Sequence, residues 1–125
     1  MAEPHFLEKP LAALALLFAA HAATAAPAAG TYDARLCVTV ASQEPTCGPA
    51  QARLAGNRLQ VQVSDIVYRL QLKSSQAEVA LMHGSMQIDE FTGSFDWVGS
   101  ALRFSDPTKK ASYEVVLGER IHAPK

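Results

Sequence analysis

The chain has 125 residues, enough for one domain, with 11 lysines and arginines against 12 aspartates and glutamates. Beyond residue 25 the balance is even: Lys73, Lys109, Lys110, Lys125 and the arginines are matched one for one by aspartates and glutamates, so the formal net charge is zero with histidines neutral. That removes the long-range positive field on which nucleic-acid binding relies, and Lys109-Lys110 alone is too short to be a basic patch.

The amino-terminal segment reads as a leader. Leu11–Ala20 is an unbroken apolar run, His21 follows it, and an alanine-rich tail contains Ala23-Thr24-Ala25. An apolar stretch of this length, then small residues at alternate positions, is the pattern of a cleaved secretory signal. Residues 1–25 are therefore expected to form a signal helix removed after Ala25, with Ala28 as the second choice. Glu3 and Glu8 depart from the positively charged start usual in such signals. The run is too short and too rich in alanine for a membrane-spanning helix, which needs about 20 apolar residues. No cysteine ends the leader, so lipid attachment is not expected. The expected compartment is the periplasm or the exterior, with a mature chain (26–125) that does not span a membrane.

The first strand is announced by Tyr32, Ala34, Leu36, Val38 and Val40, apolar at every second position, with Asp33, Arg35, Cys37 and Thr39 between them. Period-two alternation marks a strand with one buried face. Cys37 falls on its polar face. Ser42–Pro49 is expected to be a loop, because Pro45, Gly48 and Pro49 disfavour regular structure. Cys47 lies in it. Two cysteines in a secreted chain read as one disulfide, Cys37–Cys47, and their spacing is neither a zinc nor a thioredoxin pattern. The chain-entropy model gives such a short loop about 2–3 kcal/mol.

Gly56-Asn57 suits a two-residue hairpin turn, so Arg53-Leu54 should pair with Arg58-Leu59. The strongest strand signal follows, Leu59–Leu72. Leu59, Val61 and Val63 are apolar at odd positions; Ile66, Tyr68, Leu70 and Leu72 continue at even ones. The switch at Ser64-Asp65 is either a bulge that bends one long strand or a tight turn between two, and the bend is the expectation. Lys73–Gln76 is a polar turn. Ala77–His83 fits a strand buried on both faces or a short helical turn, with Val79 and Gly84 favouring the strand, and Met86 and Ile88 resume the alternation after Gly84-Ser85. A second switch is expected at Asp89-Glu90, since Phe91, Phe95 and Trp97 are at odd positions. Turns are expected at Thr92-Gly93-Ser94, Gly99-Ser100 and Asp106-Pro107-Thr108, a last strand over Ala111–Leu117, and a loose tail from about Gly118.

Short strands joined by turns every 8–12 residues are the signal of an all-β sandwich or barrel. Closure removes the exposed edges of an antiparallel meander. The expected fold is therefore a small antiparallel barrel of about eight short strands, with a β-sandwich as the alternative. Most strands are too short, and their outer faces too charged, for an outer-membrane barrel. In architecture alone, a small secreted β-barrel with one disulfide resembles the bacterial periplasmic inhibitors of C-type lysozyme. The Ser-Gly-x-x-Tyr recognition loop of that family is absent, so no family is assigned and no residue role is carried over.

Four groups of residues are candidates for function. His83, Ser85, Asp89 and Glu90 put a base, a hydroxyl and two carboxylates in one segment, but no glycine-flanked serine of a nucleophile elbow is present. The dull reading is a hairpin turn with solvated acids. His83, Asp89 and Glu90 with His122 could supply metal ligands, though without a zinc-site spacing. Asp65 and Tyr68 flank the parity switch, where an aspartate commonly shapes the backbone. Phe91, Phe95 and Trp97 are either core or, together with His83, contacts for a partner or ligand at one end of the barrel. No cofactor is indicated. The functional expectation is a periplasmic or secreted small binding protein without catalytic activity, acting on a protein partner or a small apolar ligand. The alternative is a cell-envelope structural or assembly accessory that adds a strand at an open edge; a small hydrolase ranks below both.

Overall fold

A computed structural model describes residues 26–123, so the expected signal at 1–25 lies outside the described residues. Eight strands follow in order: β1 (Gly30–Val40), β2 (Thr46–Ala55), β3 (Arg58–Val63), β4 (Ile66–Leu72), β5 (Gln76–His83), β6 (Met86–Val98), β7 (Ala101–Asp106) and β8 (Ala111–His122). Each pairs antiparallel with the next, and β8 returns to β1, so the meander closes into a barrel. The β-sandwich alternative is set aside.

The alternation that predicts the strands also fills the barrel. Leu54, Leu59, Leu70, Val79 and Phe91 stand opposite one another across β2 to β6 and form one inward row. Ala52, Val61, Tyr68 and Leu81 form the next, which ends at Asp89. Leu102, Phe104, Val115 and Leu117 supply the opposite wall, and Leu59, Val61, Leu102 and Val115 are at most 1% exposed. Fully burying each such aliphatic side chain contributes roughly 1.5–3 kcal/mol. The connections alternate between two ends. Residues 41–45, 64–65, 84–85 and 107–110 form one mouth; the turns at 56–57, 73–75 and 99–100 form the other.

The switch at Ser64-Asp65 is a tight turn, not the expected bend: Val63 pairs with Ile66, and β3 and β4 are separate strands. Ser64 takes φ 58°, the left-handed conformation that Gly56, Gly84 and Gly99 adopt in the other two-residue turns. A serine carries no sequence mark of that conformation. Conversely, Thr92-Gly93-Ser94 is not a turn. β6 runs unbroken, pairing with β5 as far as Ser94 and with β7 from Phe95 onward. Gly93 is required by crowding: a Cβ there would stand 1.7 Å from the carbonyl oxygen of Ser105. One expected strand splits and two expected strands merge, so the count remains eight.

The second parity switch is a bulge. Leu81 faces Asp89 but Met82 faces Gln87, leaving Ile88 as the extra residue just before the expected Asp89-Glu90. The expected loop over 42–49 ends early, because β2 begins at Thr46. Pro49 stands opposite Arg35 where β2 extends beyond its pairing with β3, a one-sided position that tolerates a missing N–H. The expected loose tail from Gly118 is instead the end of β8, which stays paired with β1 through two register shifts until His122 meets Thr31.

Candidate functional site

The residues singled out in the sequence gather mostly at the mouth formed by residues 41–45, 64–65, 84–85 and 107–110. His83 lies on the inward side of β5 at this rim, opposite Ile66 and Met86. Its Nε2 is 3.1 Å from Asp65 Oδ2, so two adjacent turns are tied together. That bond, foremost, holds the Asp65 carboxyl below its ordinary 3.8. Ser85 sits in the exposed turn beyond Gly84, and the hydrogen-bond partner of His83 is Asp65, not Ser85. Asp89 ends the second inward row and accepts from Lys109 Nζ across the mouth, which lowers the Asp89 pKa and raises that of Lys109. Glu90 points the other way, onto the outer face. His122 stands at the opposite end, opposite Thr31, so the strands separate it from His83, Asp89 and Glu90.

Below the rim the interior is aromatic. Tyr113 stacks on Phe104 at 4.8 Å between ring centroids and on Phe91 at 5.7 Å, and meets Tyr68 edge-on at 5.9 Å. Burial raises the Tyr68 phenol. Burial, then the neighbouring Tyr68, Asp106 and Asp89, pushes Tyr113 up to about 12. Both phenols are thus held protonated, the wrong direction for a base or nucleophile near neutral pH. Phe91 belongs to this stack, and Phe95 and Trp97 pack against the core further along β6. The three aromatics are brought together with the core rather than presented as one outer patch.

A concavity opens on the outer face. A cleft of about 860 Å³ crosses β2 to β6. Its floor follows from register. Arg53, Gln60, Arg69, Ala80 and Glu90 stand opposite one another in one outward row; Ala55, Arg58, Gln71, Glu78 and Thr92 form the row beside it. Arg53, Arg58 and Arg69 are exposed, and no carboxylate among the described residues is within ion-pair distance of any of them. Glu78 is answered by Lys73 at 3.1 Å. A smaller concavity of about 340 Å³ lies over β1, β8, β7 and β6. Its outward row is Cys37, Glu114, Arg103 and Asp96, in which Arg103 and Glu114 already pair at 3.6 Å. Among the described residues, Arg35, Lys110 and Arg120 also lack an ion-pair partner, but the large cleft brings three such cations together in one concavity.

Comparison with protein-family models, curated proteins and solved structures found no match. The cleft arginines escape a reading of the sequence because they are isolated along it and meet only through strand register. One local signal was available: Arg53 and Arg58 flank the Gly56-Asn57 hairpin at outward positions, and two like charges astride a hairpin lie on one face.

The disulfide joins residues directly opposite in β1 and β2, with Cα atoms 4.0 Å apart. It lies on the outer face, as the alternation around Cys37 predicts. It staples two paired strands rather than holding a free loop out as an epitope.

Proposed function

We propose that this protein is a periplasmic or secreted binding protein without catalytic activity, and that it holds its partner in the outer cleft over β2 to β6. The observation that carries this reading is the convergence of Arg53, Arg58 and Arg69, unanswered by described carboxylates, in one outer-face cleft of about 860 Å³. A concave surface with a few convergent polar groups is the default binding site. Export is supported by the signal-like sequence at 1–25 and by the Cys37–Cys47 bridge, which suits an oxidising compartment. The filled aromatic and aliphatic interior argues against a small apolar ligand inside the barrel. Closure argues against strand addition at an open edge, the route of an envelope assembly accessory.

The test is site-specific photocross-linking in cells that express the exported chain. A photoreactive side chain at Ala80, on the cleft floor, should capture a partner; the same group at Ser112, on the far side of the barrel, should not. Equal capture from both positions, or capture from Ser112 alone, removes the cleft as the binding surface.

A further inference from the structure

We infer that the cleft accepts an extended segment of a partner protein with acidic side chains towards one end and a basic side chain towards the other. This rests on the cleft being the binding surface. Arg53 and Arg69 are two strands apart in one row with Gln60 between them, a separation of about 10 Å. Arg58 lies in the adjacent row opposite Gln71. Guanidinium groups favour planar, bidentate pairing with carboxylates. On the other side of Ala80 the charge reverses: Glu90 stands two strands from Arg69 in the same row. Glu78, in the adjacent row, is taken up by Lys73, so of the two carboxylates lining the cleft Glu90 is the one left to meet a cation. The small side chain of Ala80 between the two charges leaves room for a main chain to cross.

This change of sign selects among occupants. A uniform polyanion, such as a nucleic acid or a sulfated glycan, would be repelled at Glu90. A neutral apolar ligand would cover three arginines without a counter-charge. A second copy of this chain has the charges to pair but the same concave shape, and two facing clefts leave a void where close packing is needed. An extended peptide fits on both counts. It advances about 3.3 Å per residue, so acids and a base about three to six residues apart span the distance from the arginines to Glu90.

The test uses the mature chain and synthetic fluorescent peptides of about nine residues, long enough to cross the cleft. One carries glutamates at one end and lysines at the other, one carries glutamates only, and one lysines only. Fluorescence anisotropy should rank them in that order of affinity. Arg53→Ala with Arg69→Ala should weaken the first two by about tenfold or more, the loss of charge-assisted bonds. Glu90→Lys should exchange the ranks of the first two. Glu90→Gln, a milder change checked for folding by thermal melting, should narrow the gap between them.

The inference is overturned if the ranking is the same in Glu90→Lys, if Glu90→Gln leaves the gap between the first two peptides unchanged, if the arginine substitutions leave affinity unchanged, or if heparin binds more tightly than the mixed peptide. It is also overturned if the chain forms a dimer that dissociates when the arginines are removed, since the cleft would then hold a second copy. Capture at Ala80 with no charge-dependent ranking would leave the cleft as the binding surface and reject only the peptide's charge pattern.

Discussion

Gly93 on β6 and Ser105 on β7 approach so closely that a Cβ on the glycine would stand 1.7 Å from the serine's carbonyl oxygen. This is where β6 passes from its pairing with β5 to its pairing with β7. The obstacle is backbone, so rotamer changes cannot relieve it. Gly93→Ala should therefore cost roughly 3 kcal/mol or more, the upper end of overpacking effects. Thermal melting should fall by about 10 °C or more. A melting temperature within a few degrees of the parent would mean that the two strands separate easily there.

The Cys37–Cys47 bridge spans paired strands on the outer face, so its contribution is restraint of the unfolded chain rather than core packing. The double substitution Cys37→Ser/Cys47→Ser should lower stability by about 2–3 kcal/mol and preserve the strand register. Chemical denaturation measures the first and amide hydrogen exchange along β1 and β2 the second. Loss of protection across the whole barrel under native conditions would show that the bridge determines the fold and does not merely secure it.

Tyr113 gives an alkaline limit. Its folded pKa lies at about 12, above an ordinary 10.0. A raised pKa contributes stability that is complete below pH 10 and is lost as pH rises towards 12. Stability should therefore fall between about pH 10 and 12, and Tyr113→Phe should flatten that fall. Ultraviolet titration of the phenols alongside circular dichroism checks this. A normal titration midpoint for Tyr113 in the folded protein would contradict its place among Phe91, Phe104 and Tyr68.

Asp65 behaves in the opposite sense at acid pH. Its folded pKa is lowered, chiefly by the hydrogen bond from His83. Its contribution is thus present above the ordinary value of 3.8 and lost as pH falls through the lower, folded value. His83→Ala should return the Asp65 midpoint towards 3.8, read by carboxyl NMR titration. An unchanged midpoint would show that the local backbone, not the histidine, holds the carboxylate.

The barrel is legible in the sequence wherever the physics is local. Alternation at Tyr32–Val40 and Ile66–Leu72 names strands and their inner faces, Gly56-Asn57 names a hairpin, and the parity of Cys37 places the disulfide outside. Legibility fails where a residue answers to something distant. Gly93 resembles a turn glycine because its real constraint, Ser105, lies on another strand. Ser64 hides a tight turn because its positive φ is imposed by the pairing of Val63 with Ile66. Gly118 resembles the start of a loose tail, yet it lies within a bulged strand held against β1. The same limit governs the site. His83, Asp65 and Tyr68 could be named because they flank turns and switches, whereas Arg53, Arg58 and Arg69 form a group only once β2, β3 and β4 are in register.

The most direct measurement is photocross-linking from Ala80 in a chain carrying Arg53→Glu and Arg69→Glu, with thermal melting alongside. Both arginines are exposed, so the melting temperature should stay within a few degrees of the parent while capture at Ala80 is lost. Undiminished capture with the arginines reversed would contradict the cleft as the binding surface.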